Sequence, residues 1–218
     1  RYFDDANGNN IFDDGDAAIT SLTPYLAENP DANIQRDVTG TYAQATEKYI
    51  NKSAIPDIRG GIRLQGTFKN FNFSTQFLYS LGGYAYDAQY AELMSDRFGA
   101  VGNNFHTDIA DRWQRPGDIT SVPALTDNAF VNGTSQSSRF VTSTDFLTLN
   151  NAVVGYTVPE EMLGRSGIDL LNIYFSGDNL WAKTARDGFL PYTSQSGNSG
   201  RRLYAPLTTI TMGVRVKF

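Results

Sequence analysis

The sequence predicts an all-β chain whose antiparallel strands belong to a transmembrane β-barrel with long extracellular loops. Three observations carry this expectation. The strand-forming segments alternate apolar and polar residues. The connections between them alternate short and long. Once those connections are assigned to the two sides of a membrane, aromatic residues gather at both ends of the strands.

Composition bounds the reading without deciding it. A chain of 218 residues is one domain or one piece of a larger one. Hydrophobic residues make up 40% and the mean hydropathy is -0.36. No apolar run approaches the roughly 18 residues that a membrane helix needs. A barrel strand shows lipid only at every second residue, so its signal is diluted and a barrel stays open. A net charge of -5 and a pI near 4.8 argue against a nucleic-acid partner. With no Cys, thiolate chemistry and disulfides are absent. The sequence starts at Arg1 without an initiator Met or a signal peptide, although an exported protein needs a targeting segment. The expectation is the C-terminal piece of a longer chain.

In chain order, Arg1-Tyr2-Phe3 reads as the end of a strand, within a first region of residues 1–58 that is otherwise extracellular loop. The acidic run Asp5 to Asp16 follows. Against the calcium loop D-x-[DN]-x-[DN]-G-x5-E, Asp5, Asn7, Asn9, Asp13 and Asp16 fall at positions one, three, five, nine and twelve. Ile11 would offer its backbone carbonyl at position seven. A hard cation needs six or more oxygens, and this spacing wraps them around one point; the all-oxygen set puts Ca2+ ahead of Mg2+. Asn10 replaces the turn glycine, and Asn tolerates the left-handed conformation better than most residues. Asp16 replaces the usual Glu and reaches less far. The alternative is a solvated loop of Asx-turns. Residues 17–58 show no strong pattern beyond a short helix expected around Tyr42 to Tyr49.

Residues 59–218 contain five expected strands, near 61–69, 71–81, 145–158, 169–181 and 206–218. In the first two, Ile62, Leu64, Phe68, Phe71, Phe73, Phe77, Tyr79 and Leu81 alternate with Arg63, Gln65, Thr67, Asn72, Ser74, Gln76 and Ser80 about a tight turn at Lys69-Asn70. Residues 82–139 form a long loop, with a helix expected over Tyr86 to Phe98 and Tyr90, Leu93, Met94 and Phe98 on its buried side. His106 and Trp113 lie beyond it. A lone His without a Cys or acidic partner at metal spacing reads as structural. In the third strand Leu147 and Leu149 differ in parity from Ala152, Val154, Tyr156 and Val158. A β-bulge at Asn150-Asn151 would keep both sets on one face. One helical turn is expected at Glu160 to Leu163. Leu171, Ile173 and Phe175 then alternate with Asn172, Tyr174 and Ser176 in the fourth strand, and a second loop spans 182–205. In the last strand Ile210, Met212, Val214, Val216 and Phe218 alternate with Thr209, Thr211, Gly213, Arg215 and Lys217. By itself this strand suits a barrel and a soluble sandwich equally.

Loop length separates the two. Short connections at 69–70 and 159–167 fit periplasmic turns, and long ones fit external loops. Phe68, Phe71, Phe73, Tyr156 and Phe218 then fall at the periplasmic ends, and Tyr79, Trp181 and Tyr204 at the outer ends. The C-terminus faces the periplasm. The inward face would carry Arg63, Gln65, Asn72, Gln76, Asn172, Tyr174, Thr209, Thr211 and Arg215. Five strands cannot close a barrel, and open edges in lipid leave backbone groups unsatisfied, so more chain must complete it.

Several stretches resemble, in order, the C-terminal part of the SusC/RagA family of TonB-dependent outer-membrane transporters. They are the Asp5–Asp16 loop; Asp111-Arg112-Trp113-Gln114 with Pro116-Gly117 and Pro123; Asp145 to Asn151 with Gly155-Tyr156-Thr157-Val158-Pro159; Ser176 to Trp181; and Thr211 to Phe218. The sequence departs from the family at Asp187-Gly188-Phe189-Leu190-Pro191, where "GxDPE" is usual, and residues 21–54 are longer than expected. The resemblance implies a 22-stranded barrel of which these are the last five strands and a stub of the sixth from the end. It implies an N-terminal plug, a TonB-contacting segment and a SusD-like surface lipoprotein that closes as a lid. It also implies import of oligosaccharides or oligopeptides across the outer membrane of a Gram-negative bacterium, with outer-membrane lipid around the barrel. The rival from another class is a secreted all-β, calcium-stabilised carbohydrate-binding module. An enzyme is not expected, because no nucleophile motif accompanies His106.

Overall fold

The computed structural model describes residues 1–95, 104–124, 133, 135–164, 166–189 and 206–218. They form two compact units, Arg1–Lys52 with Tyr90–Phe140, and Ser53–Gln89 with Val141–Phe218.

The first unit opens with β1 (Tyr2–Asp4), β2 (Ala17–Ile19), α1 (Leu22–Glu28) and β3 (Ile34–Arg36). β1 lies between β2 and β3 in a small antiparallel sheet. Its centre is Phe3, wholly buried, with Ile19 beside it in the core and Phe12 edge-on at 5.4 Å. The helix expected around Tyr42 to Tyr49 is reduced to a 3-10 turn at Tyr42–Gln44, and the full helix is α1 instead. The cause is local. The Thr46 hydroxyl accepts from the Tyr2 N–H at 2.7 Å and donates to the Ile19 carbonyl at 2.6 Å. Glu47 exchanges backbone bonds with Thr20 and Leu22 at 2.8 and 2.9 Å. Those bonds hold the segment extended against the sheet and commit the Glu47 N–H and carbonyl to it rather than to a helix.

The second unit is built on β4 (Ile58–Phe68), β5 (Phe71–Leu81), β6 (Tyr84–Tyr86), then, after α2 (Ala88–Leu93), β7 (Val141–Ser143), β8 (Phe146–Thr157), α3 (Glu160–Leu163), β9 (Leu170–Thr184) and β10 (Thr209–Lys217). Five strands form one antiparallel meander in the order β10-β9-β8-β5-β4, and β6 pairs with β7 separately. α2 starts later than the expected Tyr86, because Tyr86 pairs with Val141. Ala91 and Met94 are buried, while residues 96–98 of that expected helix, Phe98 included, lie outside the described residues. α3 falls on the expected turn. β9 runs to Thr184, three residues past the expected end.

Register shows what each face of the sheet carries. Phe68, Phe71, Tyr156, Ile173 and Val214 stand in one row across five strands. Phe73, Val154, Phe175 and Met212 stand in the next. Phe77, Leu149 and Trp181 form a third. This face is almost wholly apolar, yet Phe175 and Val214 are 54% and 55% exposed. The opposite face carries Thr67, Asn72, Gly155, Tyr174 and Gly213 in one row, and Gln65, Ser74, Val153, Ser176 and Thr211 in another.

The expected bulge is present. Between the row through Thr75, Ala152 and Gly177 and the row through Phe77, Leu149 and Trp181, β5 spends one residue, β8 two and β9 three. Leu147 and Leu149 thereby share the apolar face with Ala152, Val154 and Tyr156. Asn179, at φ 52, absorbs the widest step. Its amide donates to the Leu207 carbonyl at 3.2 Å, and the Thr208 hydroxyl donates to its carbonyl at 2.8 Å.

Candidate functional site

The polar sheet face is the first candidate. All nine residues expected to point inward lie on it: Arg63, Gln65, Asn72, Gln76, Asn172, Tyr174, Thr209, Thr211 and Arg215. Amides organise its hairpin end. Asn172 Nδ2 donates to Thr157 Oγ1 at 2.9 Å and to Asn72 Oδ1 at 3.3 Å. Further along, Asn151 Nδ2 donates to Asp178 Oδ1 at 2.7 Å. Glycine opposite a large side chain lets that side chain lie flat: a Cβ on Gly213 would meet the Tyr174 ring, and one on Gly155 the Asn72 amide. A cavity of about 290 Å³ opens beside the hairpin turn, among Thr67, Lys69, Asn72, Thr157 and Glu160. Such a wall can hydrogen-bond a polar solute along its length.

The acidic loop is the second candidate. The Asp5 carboxylate, 3% exposed, caps the turn: Oδ1 accepts from the N–H groups of Gly8 and Asn9, and Oδ2 from Asn10 at 2.8 Å. Asn10 takes φ 62, the left-handed value its side chain permits. Asp16 accepts from the N–H groups of Ala6 and Asp13 at 3.1 and 2.9 Å, drawing the ends of the loop together. Asn9 and Asn7 direct their amide Nδ2 groups at the Asp13 carboxylate, at 2.7 and 3.0 Å. These bonds, that of Asn9 foremost, then the Gly15 N–H, hold the Asp13 carboxyl below its ordinary range. Asp5, Asn7, Asn9, Asp13 and Asp16 are thus knit into one loop, with Ile11 held by its N–H to Asn9 Oδ1 at 2.7 Å. Among the described residues no group of three or more His, Cys, Asp or Glu side chains converges as metal ligands. An all-oxygen site at this loop would need the Asn7 and Asn9 amides to turn Oδ1 inward.

The loop bases hold a buried ion pair that sequence reasoning missed. Asp87, fully buried, accepts from Arg186 Nε at 2.8 Å and from its terminal nitrogen. Phe189, 1% exposed, lies three residues on. The partners are 99 residues apart, and neither stands in a motif, so no sequence signal joined them. The Gly82-Gly83 step is equally tight. Gly82 has φ 90, and a Cβ there would strike the Asp57 carboxylate.

His106, expected to be structural, packs locally. Its Nδ1 accepts from the Asp108 N–H at 3.2 Å, and its ring meets Tyr90 edge-on at 4.8 Å. Tyr90 in turn donates to Asp108 Oδ2 at 2.7 Å. The stretch with Trp113 closes on itself: the Trp113 N–H bonds the Val122 carbonyl at 3.0 Å, and Asp118 Oδ2 accepts from the N–H groups of Gln114 and Arg115. Arg201-Arg202, Tyr204, Leu190 and Pro191 lie outside the described residues.

No family model matches the chain. Among curated proteins it is 29% identical over 183 residues to TonB-dependent receptor P39 of Formosa agariphila, covering 80% of this chain and 17% of that protein. TonB-dependent receptor P3 of the same organism is 28% identical over 192 residues, covering 84% and 18%. The chain is a relative of the TonB-dependent receptors. It spans less than a fifth of the length of these curated relatives. Among solved structures, the RagAB peptide transporter matches with a TM-score of 0.62 at 24% identity, over 78% of this chain and 18% of that one. The RagAB peptide importer in its "open-open" state matches with a TM-score of 0.63 at 21% identity, over 86% and 19%. The five-stranded meander is accordingly a segment of a TonB-dependent-receptor β-barrel fold. The resemblance to TonB-dependent transporters drawn from the sequence holds: the curated relatives are TonB-dependent receptors, and the RagAB structures share the fold.

Proposed function

We propose that the chain is the C-terminal wall of an active importer that moves oligosaccharides or oligopeptides across the outer membrane. One observation carries this: a five-stranded sheet with an exposed apolar face and a hydrogen-bonding polar face. In water that apolar face would be an aggregation surface, which weighs against a secreted binding module. Against lipid it is the outside of a barrel, and the polar face is the lumen. The short Lys69-Asn70 turn and the C-terminus lie on the periplasmic side. The rest of the barrel and its plug complete the lumen, TonB supplies energy through the N-terminal part, and a SusD-like surface lipoprotein closes the outer end.

The test is made on the full-length protein. It is expected to purify from outer membranes only in detergent, as a chain several times 24.0 kDa, with a lipoprotein attached. Cells lacking it should lose uptake of an oligomeric nutrient, as should cells lacking TonB. A monodisperse 24.0 kDa protein, soluble without detergent, would sink the proposal.

The acidic loop is proposed to hold a calcium ion through Asp5, Asn7, Asn9, Asp13 and Asp16 side chains and the Ile11 carbonyl, stiffening the external region that meets the lipoprotein. The spacing and the all-oxygen donor set support it. Calcium titrated into the full-length protein should raise its melting temperature, and Asp5→Ala with Asp13→Ala should abolish that rise. Unchanged metal content, lipoprotein binding and uptake in the double variant would reject it.

A further inference from the structure

The chain is acidic overall, with a net charge of -5, but the polar sheet face is not. Its charged residues are Arg59 and Arg63 on β4, Asp178 on β9, and Arg215 and Lys217 on β10. That is four cations against one carboxylate, and the carboxylate is engaged by the Asn151 amide. The four cations are exposed, and among the described residues none forms an ion pair. On the opposite face the one charged residue in register is Lys183.

Register spaces the cations along the strands rather than clustering them. Arg59 stands in the row of Ser80 and Phe146, nearest the long loops. Arg63 stands in the row of Gln76, Asn151 and Asp178. Arg215 follows in the row of Asn172 and Thr157, and Lys217 faces Leu170 at the end of β10. A solute moving along the strands meets a positive charge at successive depths, with amides and hydroxyls between. Wall charge of one sign in a narrow, low-dielectric passage raises the local concentration of the opposite sign. Solvating a wet wall needs polarity but no bias of sign; the bias is the informative part.

The geometry points to a specificity for anionic oligomers, solutes that carry repeated carboxylate or sulfate groups. Arg59, Arg63, Arg215 and Lys217 are the selectivity residues. This rests on reading the polar face as the lumen of an importer.

The experiment uses the full-length protein in outer membranes and four labelled probes: a galacturonate hexamer, a glutamate hexamer, and neutral sugar and peptide hexamers of matched length. Wild-type uptake should favour at least one anionic probe over its neutral match by roughly tenfold at low salt, with the preference shrinking as salt rises. Which anionic probe wins identifies the source of the charge. Replacing Arg59, Arg63, Arg215 and Lys217 by Gln should bring the ratio of anionic to neutral uptake to about one, whatever the absolute rates. Assembly is checked by heat-modifiable gel mobility, and Asp178→Asn serves as a matched control that retains the preference. Equal uptake of neutral and anionic probes by the wild type overturns the inference but leaves the importer standing. Equal loss of all probes in a correctly assembled variant also overturns it. A wild type that imports no oligomer overturns the importer reading itself.

Discussion

Asp13 owes its low proton affinity to the Asn9 amide first, then to the Gly15 N–H and the Asn7 amide. Its folded value lies below its unfolded one, so the loop's stabilisation is complete above about pH 4 and is lost as pH falls through the lowered value. Amide exchange at Gly15 should therefore speed up in acid beyond its intrinsic rate, and Asp13→Asn should remove that pH dependence. A Gly15 rate that tracks intrinsic exchange alone would refute it. The buried Asp87–Arg186 pair makes a different prediction. Removing one partner strands a charge, so Asp87→Asn should cost about 3–5 kcal/mol of local stability. The readout is faster amide exchange over residues 84–87 and 182–189, which every variant can report. Replacing both partners together, Asp87→Leu with Arg186→Met, should cost far less. Of these two sites the sequence exposed only the first. The acidic loop is local, its residues within twelve positions, whereas Asp87 and Arg186 meet only through the fold.

At the scale of elements, alternation made the strands legible because a sheet between lipid and water has a different solvent on each face. Even the parity slip at Asn150 could be read, since only an extra residue keeps Leu147, Leu149, Ala152 and Val154 on one side. Deleting Asn150 leaves Leu147 and Leu149 in simple alternation with Ala152 and Val154 on the lipid side, so the full-length protein should still reach its heat-modifiable form. Failure of the deletion to assemble would show that the bulge does more than keep parity. The short helices were less legible. Tyr42 to Tyr49 has helix-compatible composition, but Thr46 and Glu47 spend their hydrogen bonds on Tyr2, Ile19, Thr20 and Leu22. The three-residue strands β1, β2 and β3 are too short to show a period at all.

At the scale of the whole molecule, the two sheet faces predict opposite tolerances. Phe175→Arg places a charge on the lipid face near mid-strand and should cost about 2–4 kcal/mol. Ser176→Arg, one residue along, places the same group on the polar face and should cost little. Urea titration of the folded fraction in lipid vesicles separates them, and equal costs would reverse the assignment of faces. The aromatic belts argue the same way. Phe68, Phe71 and Tyr156 share one row at the hairpin end, with Phe71 and Tyr156 rings 4.9 Å apart, and Tyr79 and Trp181 lie toward the other end.

The spacing of partners along the chain also sets a sequence of events in time. Phe68 and Phe71 are joined by a two-residue turn, a closure that costs little chain entropy and completes in microseconds. β8 meets β9, and β9 meets β10, across moderate gaps. β5 and β8 must find each other across more than sixty intervening residues, the slowest search in the sheet. Two preformed pieces, the β4–β5 hairpin and the β8–β9–β10 meander, therefore await one late encounter. The seam between Phe73 and Val154 is the step that any catalyst of membrane insertion has most to gain by hastening.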